Sequence, residues 1–285
     1  MIQDIFPSRL ELTFRSIVPV LEDCFFSFRN EKVLLRVRED GSRELPTFRD
    51  LQESIDKIRD FTVFLFCVDN MPIYLFQPKD IVTSEWQYLQ YFPVEDLNCI
   101  SQKWAYFAGI TALHLGRWYE KNVYCGKCGD RMERNRNQRE LTCCSCGNIV
   151  YPHIAPVVMV AVINEDRLLM TKYADRSLSQ WVLISGFVEI GETLEEAAKR
   201  EVFEEAGIHI KDLKYFGSQP WGFSDSVIVG YIAKLDGSDE IHLDKRELAT
   251  AEWHPRSNLP KELTDISIAY EMIEELRIYE KGGQE

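Results

Sequence analysis

"GFVEIGETLEEAAKREVFEEAGI" occupies residues 186–208 and carries seven glutamates. Thr193 and Glu196 have the T-x-x-E spacing of a capping box, which starts a helix, and Gly207 is a natural stop for it. Inside that helix Leu194, Ala198, Glu201 and Glu205 fall at i, i+4, i+7 and i+11, one continuous face. Leu194 and Ala198 belong against a core, with Val202 beside them. Glu201 and Glu205 therefore continue an inward stripe, and Glu204 stands next to them. Neighbouring carboxylates at a half-buried place repel one another, and each also loses its hydration. A bound cation removes both costs, and oxygen-only ligands point to Mg²⁺ or Mn²⁺. The plainer reading is a solvated acidic helix with i, i+4 pairs such as Arg200 with Glu204. It accounts for Glu195 and Glu196 but leaves Glu201 and Glu205 unexplained.

Around this helix the pattern is mixed. "VVMVAVI" (157–163) and "RLLM" (167–170) read as a hairpin turning at 164–166, and "WVLIS" follows. "LKYFGS" and "SVIVGYIAKL" come after the helix as further strands. A last helix is expected over 265–279, with Ile266, Ala269, Ile273 and Leu276 on one face and Gly282 beyond it. Strands alternating with helices predict a layered α/β domain. Towards the N-terminus, "VLLRV" (33–37), "FTVFLFCV" (61–68) and "PIYLF" (72–76) read as strands, with turns at 39–42 and 69–72. Cys24, Cys67 and Cys99 read as small buried residues. A helix is expected from Ser101, its Trp104, Phe107, Ala108, Thr111, Leu115 and Trp118 packing inward.

Between these regions stand "CGKCG" (125–129) and "CCSCG" (143–147), two C-x-x-C pairs with fourteen residues between them. Cys125, Cys128, Cys143 and Cys146 would close a tetrahedron of thiolates round a structural Zn²⁺, with glycine after each pair to permit a left-handed turn. Cys144 competes with Cys143, but a C-x-C knuckle is the less usual arrangement. Arg117, Lys121, Lys127, Arg131, Arg134, Arg136 and Arg139 make this segment basic. Acidic residues are interspersed and no aromatic lies from Lys127 to Arg139, so it reads as a solvated face rather than a nucleic-acid surface.

The whole chain has 46 acidic and 33 basic residues, a net charge of −13. That opposes broad nucleic-acid binding, and a polyanionic substrate would need a local source of positive charge. The start, "MIQDIFPSRLELTF", lacks a secretory pattern, and no apolar run approaches the ~20 residues of a membrane span. Five of eight cysteines crowd into 125–146, which favours metal binding in a reducing compartment. A cytoplasmic location is expected.

Gly186, Glu192, Arg200, Glu201, Val202, Glu204, Glu205, Gly207 and Ile208 match every fixed position of G-x5-E-x7-R-E-U-x-E-E-x-G-U. The chain so resembles the Nudix hydrolases. That implies a Nudix α/β/α sandwich with a mixed sheet over 153–285, after a small zinc ribbon (119–152) and an α+β N-terminal domain (1–118). It also implies that Glu201, Glu204 and Glu205 bind the metal, that Arg200 holds them, and that Glu192 supports the site. "SQPWGFSDS" (218–226) is similar to the S-Q-P-W-P-F-P-x-S element of the NADH pyrophosphatases, with Gly222 and Ser224 in place of two prolines. Those enzymes share the order of ribbon, linker "YPHIAP" and catalytic domain. The resemblance implies that Tyr151 and Phe187 sandwich the nicotinamide side. It implies that Gln219, Trp221, Ser226 and Ala269 belong to the dinucleotide site, Trp221 and Ser226 acting across a homodimer interface. It implies that Glu247 joins the metal set. The expected substrate is NAD(H), split to nicotinamide mononucleotide and AMP, and the same chemistry would free NAD from RNA 5′ ends. Other Nudix substrates, ADP-ribose or dinucleoside polyphosphates, remain open, as does an inert nucleic-acid-binding regulator.

Overall fold

The computed structural model describes residues 1–78, 88–174, 180–260 and 265–278. The chain divides into two compact units: Gln3–His153 with Gly222–Ser224, and Met1–Ile2 with Ile154–Trp221 and Asp225–Glu285.

The first unit begins with β1 (Leu10–Glu11), β2 (Cys24–Phe26), β3 (Phe28–Arg29), β4 (Lys32–Val37), β5 (Arg43–Glu44) and the single-turn helix α1 (Ile55–Ile58). There follow β6 (Thr62–Val68), β7 (Met71–Phe76), β8 (Leu89–Pro93) and the long helix α2 (Trp104–Lys121). One sheet has the order β1-β6-β7-β2, and in a second β4 pairs with β3, β5 and β8. The β6–β7 hairpin turns on Asp69 and Asn70, at φ 49° and 67°, the doubly left-handed pair that a two-residue hairpin requires. Phe25, Phe48, Tyr74 and Phe76 pack ring against ring in the core. Cys67 is buried, but Cys24 is only half-buried and Cys99 is exposed, because Cys99 ends a surface 3₁₀ turn (Val94–Cys99). α2 starts at Trp104 rather than Ser101, with Lys103 at its N-cap. Its inward face is displaced from the expected stripe: Ala105, Ile110, Ala112 and Leu113 are buried along with Ala108, Leu115 and Trp118, while Trp104, Phe107 and Thr111 are only half-buried. The unit ends in a three-stranded antiparallel ribbon, β9 (Met132–Arg134), β10 (Leu141–Cys143) and β11 (Ile149–Val150).

The second unit is a six-stranded mixed sheet between two helices. Its elements are β12 (Ala155–Asn164), β13 (Arg167–Tyr173), β14 (Ile184–Phe187), α3 (Leu194–Ala206), β15 (His209–Trp221), β16 (Ser226–Asp236), β17 (Leu248–Pro255) and α4 (Ile268–Leu276). The order is β15-β16-β12-β13-β17, with β14 also on β12; β12 and β16 are parallel and the other pairs antiparallel. Both faces of β12 are covered, which explains its unbroken apolar run. Val158, Val160 and Val162 pack with Ala197, Ala198, Val202 and Ala206 of α3. Ala161, from the opposite face, packs with Ile268, Met272, Ile273 and Leu276 of α4. Each fully buried valine or leucine here contributes about 1.5–3 kcal/mol. The expected hairpin of β12 and β13 pairs over only two residues, Ile163↔Leu168 and Asn164↔Arg167, after which β12 pairs with β14 instead. α4 starts at Ile268 because the Ser267 hydroxyl accepts from the Tyr270 N–H at 3.1 Å. α4 ends at Leu276 rather than at 279, because Arg277 is already extended; the expected stop at Gly282 lies outside the described residues.

Candidate active site and metal centre

α3 carries the acidic site, and its ends are tied down. The Thr193 hydroxyl accepts from the Glu196 N–H at 3.2 Å, and the Glu196 carboxylate accepts from the Thr193 N–H at 2.7 Å. Gly207 stands at φ 68° and caps the other end through its N–H to the Phe203 carbonyl. Between these caps Glu201 and Glu205 are buried, at 8% and 3% exposure, whereas Glu204 is exposed. A side chain on Gly186 would strike the Glu201 carboxyl group, so glycine at the end of β14 makes the space for that carboxylate.

Arg200 organises the cluster. Its guanidinium donates to Glu192 at 2.6 and 3.1 Å, to Glu201 at 2.7 Å, to Glu204 at 2.9 Å and to the Phe187 carbonyl at 2.9 Å. Glu192 also accepts from the Glu189 N–H at 2.7 Å, and these bonds, the Arg200 pair foremost, hold its carboxyl below the usual range. Among the described residues Glu205 has no such partner. One of its buried oxygens lacks any hydrogen bond. Burial, reinforced by the charges of Glu201, Glu247 and Glu204, pushes Glu205 up to about 8. Burial also raises Glu201, against the pull of Arg200. A buried carboxylate without a donor, among three others, fits a divalent cation chemically.

Glu247 reaches this field through contacts that sequence spacing did not reveal. The backbone N–H groups of His242 and Asp244 donate to the carbonyls of Ala206 and Glu205 at 2.9 and 3.1 Å. The Asp244 carbonyl then accepts from the N–H groups of Glu247 and Leu248, making the turn that precedes β17. Glu247 is exposed and within electrostatic range of both buried glutamates. No local pattern marked His242 or Asp244 as supports.

The four expected thiols converge. The sulfurs of Cys125, Cys128, Cys143 and Cys146 all lie within 4.8 Å of one another, with Cys125–Cys146 at 3.6 Å and Cys128–Cys143 at 3.4 Å. Zinc at ~2.3 Å from each sulfur needs edges of roughly 3.8 Å, so the spacing suits it. The two knuckles repeat one backbone pattern. The Cys125 N–H donates to the Asp130 carbonyl, and its carbonyl accepts from Gly129; Cys143 does the same with Asn148 and Gly147. Gly129 and Gly147 stand at φ 83° and 70°. Cys144 is exposed and outside the set, which leaves Cys143 as the ligand. Among the described residues, these cysteines are the one group of metal-binding side chains gathered that closely. The glutamates are held further apart.

The remaining expected contacts divide. Phe187 and Tyr151 are exposed aromatics, at 55% and 58%. Trp221 ends β15 and packs partly against the α4 side of the sheet, while Ser226 is buried with its hydroxyl 3.4 Å from the Trp221 carbonyl. Ala269 is half-buried in the first turn of α4. Gln219, expected at the dinucleotide site, lies within β15. It is fully buried, its amide donates to the Ile266 carbonyl at 2.8 Å, and its oxygen accepts from the Ile268 N–H at 2.7 Å. It anchors the start of α4 to β15, because a buried amide requires partners and the helix N-terminus requires acceptors.

A capped helix with inward glutamates on a mixed sheet, together with a four-cysteine ribbon, defines a metal-dependent class of protein. Residues 153–276 match the NUDIX domain and residues 120–151 the NADH pyrophosphatase zinc ribbon domain. The chain belongs to the Nudix family with that ribbon. It is similar to the NAD-capped RNA hydrolase NudC of Klebsiella pneumoniae, 37% identical over 163 residues, or 57% of this chain and 63% of that one. NudC of Salmonella typhi is 35% identical over 185 residues, covering 63% and 72% of the two chains. A Nudix hydrolase structure from Nitrosomonas europaea aligns with a TM-score of 0.44 at 23% identity, over 54% of this chain and 86% of that one. The chain thus spans somewhat under two thirds of the first relative's length.

Proposed function

We propose that this chain hydrolyses the pyrophosphate of NAD(H), giving nicotinamide mononucleotide and AMP, and that it removes NAD from RNA 5′ ends by the same reaction. The carrying observation is the donor-less buried oxygen of Glu205 beside Glu201, Glu204 and Glu247. Mg²⁺ or Mn²⁺ held by these four carboxylates would neutralise substrate phosphates and make water more acidic. The names of the similar proteins support the substrate.

In this reading water attacks the adenosine-side phosphorus. The bridging P–O bond breaks, and the nicotinamide mononucleotide phosphate leaves with the electron pair. Glu204, exposed and steadied by Arg200, or Glu247 takes the water's proton. Arg200 keeps Glu201 and Glu204 in place, and Glu192 keeps Arg200 in place. The exposed ring of Phe187 offers a face for the nicotinamide side. Trp221 and Ser226 serve the neighbouring subunit's site in a homodimer, and Gln219 positions the helix that carries Ala269. The location is cytoplasmic in this reading; among the described residues, no helix is long and apolar enough to cross a membrane.

Incubation with NADH and Mg²⁺ or Mn²⁺ should yield AMP and reduced nicotinamide mononucleotide. Intact NADH alongside cleaved ADP-ribose or dinucleoside polyphosphate would overturn the substrate. Matched concentrations of NADH and NAD-capped RNA rank the two substrates.

A further inference from the structure

The first unit contains a cavity of about 440 Å³ that the proposed reaction does not use. Arg29, Arg131 and Arg134 line it, and so do the rings of Phe28, Tyr91 and Tyr119. Arg131 and Arg134 come from the part of the basic run at 127–139, which holds no aromatic residue. The fold supplies the rings from elsewhere: Phe28 from β3, Tyr91 from β8 and Tyr119 from α2.

Two of the guanidinium groups are already laid over rings. Arg29 stands 5.6 Å from the Tyr91 centroid and Arg134 5.4 Å from that of Tyr119. A guanidinium so placed keeps its second face for a flat base and its in-plane N–H groups for a phosphate. None of the three arginines forms a salt bridge with a described carboxylate; Arg134 donates once, to the Thr62 carbonyl at 3.3 Å. Asp60 and Glu120 also line the cavity. They limit the local excess of positive charge and offer acceptors to ribose hydroxyls or base amino groups. The volume falls in the range of small-ligand sites.

We propose that this cavity is a second binding site, separate from the glutamate cluster, for a nucleoside 5′-phosphate. Its phosphate lies on Arg29 and Arg131, and its base stacks on the arginine–tyrosine pairs. The nucleotide is either free or one unit of a single RNA strand, since both present the same groups.

The test uses the full chain with its zinc retained and no added Mg²⁺ or Mn²⁺. The probes are AMP and a 5′-hydroxyl RNA octanucleotide, neither of which has a pyrophosphate bond to cleave. Binding is read by calorimetry or fluorescence anisotropy. Arg29→Ala with Arg131→Ala should weaken the bound probe about tenfold or more and flatten its salt dependence. Both side chains are exposed, so the fold should survive; the double lysine variant should restore part of the affinity, and NADH turnover should stay unchanged. Glu204→Gln should leave probe affinity as it was. AMP binding alone identifies a free nucleotide as the ligand; stronger binding of the octanucleotide identifies a strand. The proposal is overturned if neither probe binds, if the double alanine variant binds like the parent, or if only Glu204→Gln weakens binding.

Discussion

The cysteine knuckles and the acidic helix both crowd groups that repel when ionised, yet they are built in opposite ways. In the knuckles the backbone does the gathering. Two copies of one turn, each closed by a glycine with positive φ, bring four sulfurs within 4.8 Å. At the helix the backbone only aligns the glutamates, and Arg200 then holds Glu201 and Glu204 back by direct bonds. A thiolate set with no open position suits a permanent structural ion. A carboxylate set that is looser, and partly neutralised by an internal cation, suits an ion that arrives with a charged substrate. Stability is therefore expected to concentrate at the first region and turnover at the second.

The largest effect should come from the knuckles. Cys143→Ser should lose zinc and unfold the ribbon, with up to about 10 kcal/mol of metal-linked folding energy at stake. Cys144→Ser should retain zinc and stability. Metal analysis and thermal unfolding of the two variants check this, and equal zinc loss in both would undo the ligand assignment.

Next, Glu204→Gln should cut NADH turnover by about 10²–10⁴-fold while leaving the unfolding temperature unchanged. Normal turnover would reject Glu204 as base and as ligand. Gly186→Ala sharpens the comparison from the other side, because the added methyl group meets the Glu201 carboxyl group. It should cost about 1–3 kcal/mol of stability and displace Glu201. Turnover and denaturant midpoint should fall together.

A further expected effect concerns pH. Glu205 is raised to about 8 chiefly by burial, with like charges adding to it. Its protonated form is the one the fold favours. With zinc retained and no Mg²⁺ or Mn²⁺, its contribution to stability is full below the unfolded carboxyl value near 4.5 and is lost as pH rises through about 8. Unfolding midpoints should therefore fall across that window, Glu205→Gln should flatten the fall, and added Mg²⁺ should reverse it at the upper end. A parallel pH dependence in the parent and the variant would remove Glu205 as the cause.

How far each feature could be read from the chain depends on how local its cause is. The cap at Thr193, the stop at Gly207, the inward slant of Glu201 and Glu205 and the two knuckles all depend on residues a few positions apart. Spacing alone carries those. Gln219 lies in a motif, yet its amide is taken up by Ile266 and Ile268, some fifty residues away. Strand β17 carries no clear sequence signal, because "LATAEWHP" has little apolar alternation, and its place follows from pairing with β13. Cys99 is exposed because its exposure depends on where its turn sits rather than on residue type.

The sequence by itself determined the two metal-binding motifs, the apolar strands and the caps, since backbone turns and helical periodicity act over one or two turns of chain. Only the tertiary structure decided that Glu247 enters the glutamate field, that Gln219 anchors α4, and that Arg131 and Arg134 line one cavity with rings from β3, β8 and α2. Those outcomes depend on burial and long-range hydrogen bonds, and both exist only once separate segments have packed together.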